Sequence, residues 1–116
     1  KNNAEMIKVK VHVDPFGGYR LIEISGHAGY DEYGKDIVCA AVSALAQTMA
    51  LGLEKVVGIK AKIKKKDGYF LLKIPKDLSA EKADKVNIIM ETFILGIEDI
   101  SKSYPSNIQV DVIEEV

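Results

Sequence analysis

From Met6 onward apolar and polar residues alternate one by one: Ile7, Val9, Val11 and Val13 fall on one side, Lys8, Lys10 and His12 on the other. A period of two belongs to a strand with one face in a core, so this stretch predicts a half-buried β-strand. The residues ahead of it, Lys1 to Glu5, are polar and patternless and read as a frayed or added end, with Met6 as a natural start. Asp14-Pro15-Phe16-Gly17-Gly18 has the composition of a turn, and Tyr19 to Ser25 returns as a second strand with Ile22 and Ile24 facing inward. The period then changes. From Asp36 to about Val57 the chain reads as a helix that is apolar around most of its circumference, with five alanines set among Val42, Leu45, Met49, Leu51 and Leu53. Such a helix is expected to be covered on more than one side.

A second hairpin follows Gly58. Ile59, Ala61 and Ile63 alternate with Lys60, Lys62 and Lys64, Lys65-Lys66-Asp67-Gly68 turns the chain, and Tyr69 to Ile74 returns until Pro75 ends it. Ser79 is the expected cap of a second helix running to about Tyr104, with Ala83, Val86, Met90, Phe93, Ile97 and Ile100 on one stripe. Pro105 stops it, and Ile108, Val110 and Val112 form a last strand. The order strand-strand-helix-strand-strand-helix-strand predicts an α+β fold: a mostly antiparallel sheet with two helices packed on it. No linker or low-complexity segment divides the chain, so residues 1–116 are expected to form a single domain.

Composition narrows the function classes. At 47% apolar and 28% charged the chain has the makeup of a soluble globular domain, and a net charge of −1 gives no bulk attraction to nucleic acid or to a membrane surface. No signal peptide and no apolar run of about 18 residues is read from it. A single cysteine excludes an intrachain disulfide and fits a reducing, cytoplasmic setting. One local exception stands out: Lys55 to Lys76 carries eight basic residues against one acid, Asp67. Lys60 to Lys66 with Tyr69 and Phe70 would suit an RNA-binding or ribosome-assembly module. The simpler reading is a solvated strand whose lysines discourage edge pairing, and nucleic acid is not expected as a partner.

The chemistry concentrates between His27 and Cys39, which bracket a polar loop holding Gly29, Tyr30, Tyr33 and Gly34. If Asp36 is the helix N-cap, Cys39 lies in the first turn, where the helix dipole favours thiolate over thiol, and a protonated His27 would pull the same way. The Asp36 carboxylate opposes them unless its oxygens point along the capping N–H groups and away from the sulfur. A thiol and an imidazole at the two rims of one loop are the minimum for a cysteine nucleophile with its base. The competing reading is an inert, buried cysteine in an apolar helix. Backbone N–H groups from Val38 to Ala40 are the expected oxyanion donors. The loop itself, residues 28–35, is expected to act as a substrate-gated lid, with Gly29 and Gly34 as hinges and Tyr30 and Tyr33 offering apolar contacts. No metal is expected, since zinc usually takes three or four protein ligands, and no cofactor motif is present.

Gly26-His27-Ala28, followed by Gly34-Lys35-Asp36-Ile37-Val38-Cys39-Ala40-Ala41-Val42-Ser43, resembles the signature of the ribosomal-processing cysteine protease family. These are small bacterial enzymes that remove an N-terminal extension from a large-subunit ribosomal protein. The resemblance implies a catalytic histidine at His27, a catalytic cysteine at Cys39, and supporting roles for Asp36 and Ser43. It implies a cut after a short apolar, aromatic-containing sequence in that extension. It also favours a homodimer as the cover for the first helix, which from the residues alone is equally explained by the second helix and a loop.

Overall fold

The computed structural model describes residues 5–115. The expectation of a patternless start therefore falls mostly outside the described residues, at 1–4. Five strands and two helices follow in the expected order. Strands β1 (Ile7–Val13) and β2 (Tyr19–Ser25) form the first hairpin, β3 (Lys62–Lys66) and β4 (Tyr69–Lys73) the second, and β5 (Ile108–Glu114) closes the chain. The sheet order is β3-β4-β2-β1-β5, antiparallel throughout except for the parallel pair β1 and β5; helix α2 (Ala80–Ser103) carries the chain from β4 across to β5 at the opposite edge.

Alternation decides which side is core. Ile7, Val9 and Val11 of β1, Ile22 and Ile24 of β2, Leu72 of β4 and Ile108 of β5 are buried on the face the helices cover. Helix α1 (Ile37–Leu51) continues as a π-helical segment, Gly52–Val57, and turns Val38, Val42, Ala46, Met49, Leu53 and Val57 onto that face. Helix α2 adds Val86, Met90, Phe93, Ile94 and Ile97. The Ser79 side chain accepts from the Lys82 N–H, as a capping serine should. The first turn is held by Asp14, whose Oδ1 accepts from the N–H groups of Phe16 and Gly18 while Oδ2 meets Arg20 Nε at 2.8 Å.

Two expectations are corrected. The alternation predicts a third strand from Ile59, but β3 begins only at Lys62; all five of its residues are exposed, in keeping with the solvated-strand reading. It is the sheet edge, paired on one side only, and the helix layer does not reach over Ile63. The second concerns the apolar run. By length and composition the 21 residues Ile37–Val57 are enough to cross a membrane, contrary to the reading of the sequence. Here they serve instead as a core helix, because the inward row fills the space between the sheet and α2.

Candidate active site

The loop between β2 and α1 is organised by one carboxylate. Asp36 is the N-cap of α1, and its Oδ1 accepts from the Val38 and Cys39 N–H groups, both at 3.0 Å. Its Oδ2 turns the other way and accepts from Tyr30 and Asp31 N–H at 3.0 and 3.2 Å. Burial pushes this carboxyl up, but four N–H donors outweigh it and leave Asp36 below the usual carboxylate range. A single buried acid thus fixes the helix start and folds the loop back onto it.

Cys39 is half-buried in the first turn. Its sulfur accepts from the Ala28 N–H at 3.3 Å, and among the described residues no hydrogen bond joins it to His27. Burial raises the thiol above its ordinary range; the Ala28 N–H opposes this, and the charge of Asp36 adds to it. The helix dipole is expected to favour thiolate and the Asp36 carboxylate to oppose it; here the direction is upward, with burial as the largest cause. Desolvation of the sulfur and the nearby carboxylate outweigh the Ala28 N–H and push the thiol up. The expected oxyanion donors are also committed: Val38 and Cys39 N–H to the Asp36 side chain, and Ala40 N–H to the Asp36 carbonyl at 3.1 Å.

His27 is exposed at the mouth of a cleft of about 890 Å³ that it shares with Cys39 and Ser43. Its ring meets Tyr33 edge-on, with centroids 6.0 Å apart. Below it runs the tip of the β3–β4 hairpin. Gly68 has φ +70°, which favours glycine, and a Cβ built there would lie 2.9 Å from His27 Nε2, so a side chain would push the imidazole out of this position. The Gly26 N–H donates to the Gly68 carbonyl at 2.9 Å and ties the two hairpins together at this point. Lys65, Lys66 and Tyr69 complete the far wall.

The remaining loop residues divide. Tyr33 and Gly34 line the cleft, and Tyr33 is 80% exposed. Tyr30 is absent from the lining and packs edge-on against Tyr104 at 5.3 Å. Gly29 also lines the cleft but is buried, and a Cβ there would meet Glu5, so it acts as a close-packed corner rather than an open hinge. The base of the loop, Ala28 to Asp31, is therefore held by hydrogen bonds, and Glu32 to Lys35 is exposed. Among the described residues no group of three or more His, Cys, Asp or Glu side chains could hold a metal.

Three participants were not legible in the sequence. Gly68 carried a turn signal but nothing to show that His27 lies over it. Ala28 stands in the signature with no role of its own assigned, yet it is fully buried between two hydrogen bonds. Asn107, which follows Pro105-Ser106 and reads as a turn residue, donates from Nδ2 to the Ala28 carbonyl at 2.8 Å.

Comparison with known proteins bears on this geometry. A family model described as cysteine protease Prp matches residues 6–109. The ribosomal processing cysteine protease Prp of Bacillus subtilis is 30% identical over 111 residues, covering 90% of this chain and 96% of the relative. Among solved structures, the essential ribosomal processing protease Prp of Staphylococcus aureus, in complex with a covalently linked product peptide, superposes with a TM-score of 0.82. It is 27% identical, with 92% of this chain and 99% of that one covered. The SMU.848 protein of Streptococcus mutans superposes with a TM-score of 0.77 at 27% identity, over 99% and 100% of the two chains.

Proposed function

This chain belongs to the Prp family of cysteine proteases, and on that premise we propose that it removes an N-terminal extension from a large-subunit ribosomal protein, with Cys39 as nucleophile and His27 as its base and acid. Membership decides between the two function classes read from the sequence, a protease and a non-catalytic RNA-binding module, in favour of the protease. The observation that carries the residue assignment is that His27 and Cys39 line one cleft with the Ala28 N–H on the sulfur. The substrate class is carried over from the B. subtilis and S. aureus relatives, which are ribosomal processing proteases.

In this reading the thiol proton passes to the His27 imidazole as the sulfur bonds to the scissile carbonyl carbon. The C–N bond then breaks, the imidazolium returns the proton to the leaving amine, and water hydrolyses the thioester to release the acid. A thiol pushed up by burial suits general-base assistance, in which the proton moves as the carbonyl is attacked. Asp36 sets the helix start under the sulfur, and Ser43, one turn along the same helix and on the cleft wall, supports the site. Tyr33 and Gly34 are the loop contacts for an extended, aromatic-containing segment. No metal or other cofactor and no nucleic acid enters the reaction. The whole chain works as one domain, in the cytoplasm and as a homodimer.

The test uses an extended ribosomal-protein substrate and fragment masses. The wild-type chain should release one N-terminal fragment, and Cys39→Ala and His27→Ala should release none while keeping the wild-type melting curve. Processing retained by a Cys39→Ala preparation free of other proteases would falsify the assignment.

A further inference from the structure

The Ala28 N–H raises a question the catalytic pair leaves open: with Val38, Cys39 and Ala40 N–H already spoken for, what meets the oxyanion? The donor standing on the sulfur is the Ala28 N–H, at 3.3 Å. The oxyanion grows on the carbon that bonds to that sulfur, within reach of the same N–H. A bond to a charged oxygen is stronger than one to a neutral sulfur, so the contact tightens as attack proceeds.

What holds Ala28 there comes from the far end of the chain. Asn107 stands at the start of β5, and its backbone is pinned twice, its N–H donating to the Tyr104 carbonyl and its carbonyl accepting from Ile7 N–H, each at 2.9 Å. From that fixed base its Nδ2 donates to the Ala28 carbonyl at 2.8 Å. Ala28 has no exposed surface and directly follows His27, so a bond to its carbonyl holds the residue whose own N–H meets the sulfur. We propose that Asn107 is a positioning residue of this protease site, holding Ala28 so that its N–H serves as the oxyanion donor. The proposal rests on the reading of Cys39 as nucleophile.

The amide is required for its donor, since the Ala28 carbonyl only accepts. Asn107→Asp keeps the shape and sets an acceptor against an acceptor; Asn107→Leu keeps the volume and removes polarity. Removing an oxyanion donor outright lowers kcat by about 10²–10³, and loosening one should lower it roughly 10–100-fold, with KM within about twofold. Alkylation of Cys39 by iodoacetamide, followed against pH without substrate, should shift its midpoint upward in both variants, because the N–H that favours thiolate is no longer held. Loss of packing alone would lower the melting temperature without this split or shift. Unchanged kcat and an unchanged alkylation profile in folded Asn107→Asp and Asn107→Leu would overturn the proposal. Should neither variant fold, the lone Cys39 allows ligation of a segment 1–38 in which lactate replaces Ala28, removing only the N–H. Full activity of that ester chain overturns the proposal, and a kcat loss with KM kept supports it. Cys39→Ala run alongside separates the two levels. Its continued activity removes the protease assignment itself, whereas its inactivity beside fully active Asn107 variants removes only the positioning role.

Discussion

The two oxygens of Asp36 face different partners, the helix cap on one side and the loop base on the other. An asparagine in the same pose has one acceptor and one donor, so it can serve the cap or the loop but not both; its NH2 must then face N–H groups that also donate. Asp36→Asn is therefore expected to destabilise the chain by about 1–3 kcal/mol, the range for leaving buried donors unsatisfied, and to lower cleavage with it. The pH dependence gives a second check. Its folded pKa lies below its unfolded one, so the ionised form is favoured by folding. That stability is present above about pH 4, the unfolded carboxylate value, and is lost as pH falls through the lower folded value. Melting temperatures measured from pH 7 down to pH 2 should show this acid loss reduced in Asp36→Asn. An equal acid slope in both proteins would mean that Asp36 is not the coupled group.

At the scale of elements, the site is a junction of the first helix, the loop before it and the tip of the second hairpin. At that junction Gly68 lies beside the imidazole. Gly68→Ala meets two penalties: a non-glycine residue in the left-handed region, costing about 1–2 kcal/mol, and a Cβ 2.9 Å from His27 Nε2. Gly17, with φ +84° and nothing within 4 Å of a built Cβ, isolates the first penalty alone. Both alanine variants should lose similar stability, while only Gly68→Ala should lose most of its cleavage rate; parallel loss in both would make the hairpin tip a structural feature only. The contrast also marks what the sequence could tell. Strand periods, the Ser79 and Asp36 caps and the Asp67-Gly68 turn are local signals, written within a few residues, and each appears in the fold. The contacts that build the site are not local. Gly26 to Gly68 and Ala28 to Asn107 join distant segments through backbone atoms or one amide, and no periodicity encodes them. The balance at the thiol is non-local in the same way: the dipole and the Asp36 carboxylate are visible in the sequence, but burial of the sulfur, the largest cause of its upward shift, is set by the tertiary packing.

At the scale of the whole molecule, the two faces differ in kind. The uncovered side of the sheet is ordered in register rows across all five strands: Lys66-Tyr69-Ser25-Lys8-Gln109, then Lys64-Leu71-Glu23-Lys10-Asp111, then Lys62-Lys73-Leu21-His12-Ile113. Six lysines stand there against two acids, so two copies meeting through this face would repel. The helix layer is the opposite case, leaving Ile37, Leu51 and Val56 of the first helix and Ile88 and Leu95 of the second more than half exposed. Large apolar side chains gathered on an outward surface favour association, because each removed from water contributes about 1.5–3 kcal/mol when fully buried. The homodimer proposed above is therefore expected to form through the helices. Light scattering coupled to size exclusion should give the mass of two chains at micromolar concentration. Leu51→Glu and Leu95→Glu, each setting a charge against its symmetry-related neighbourhood, should move that mass toward one chain without changing the helical circular dichroism. Lys64→Glu on the sheet face should leave the dimer intact. A single-chain mass for the wild type at high concentration would end the dimer proposal; dissociation by Lys64→Glu but not by the leucine substitutions would move the interface to the sheet.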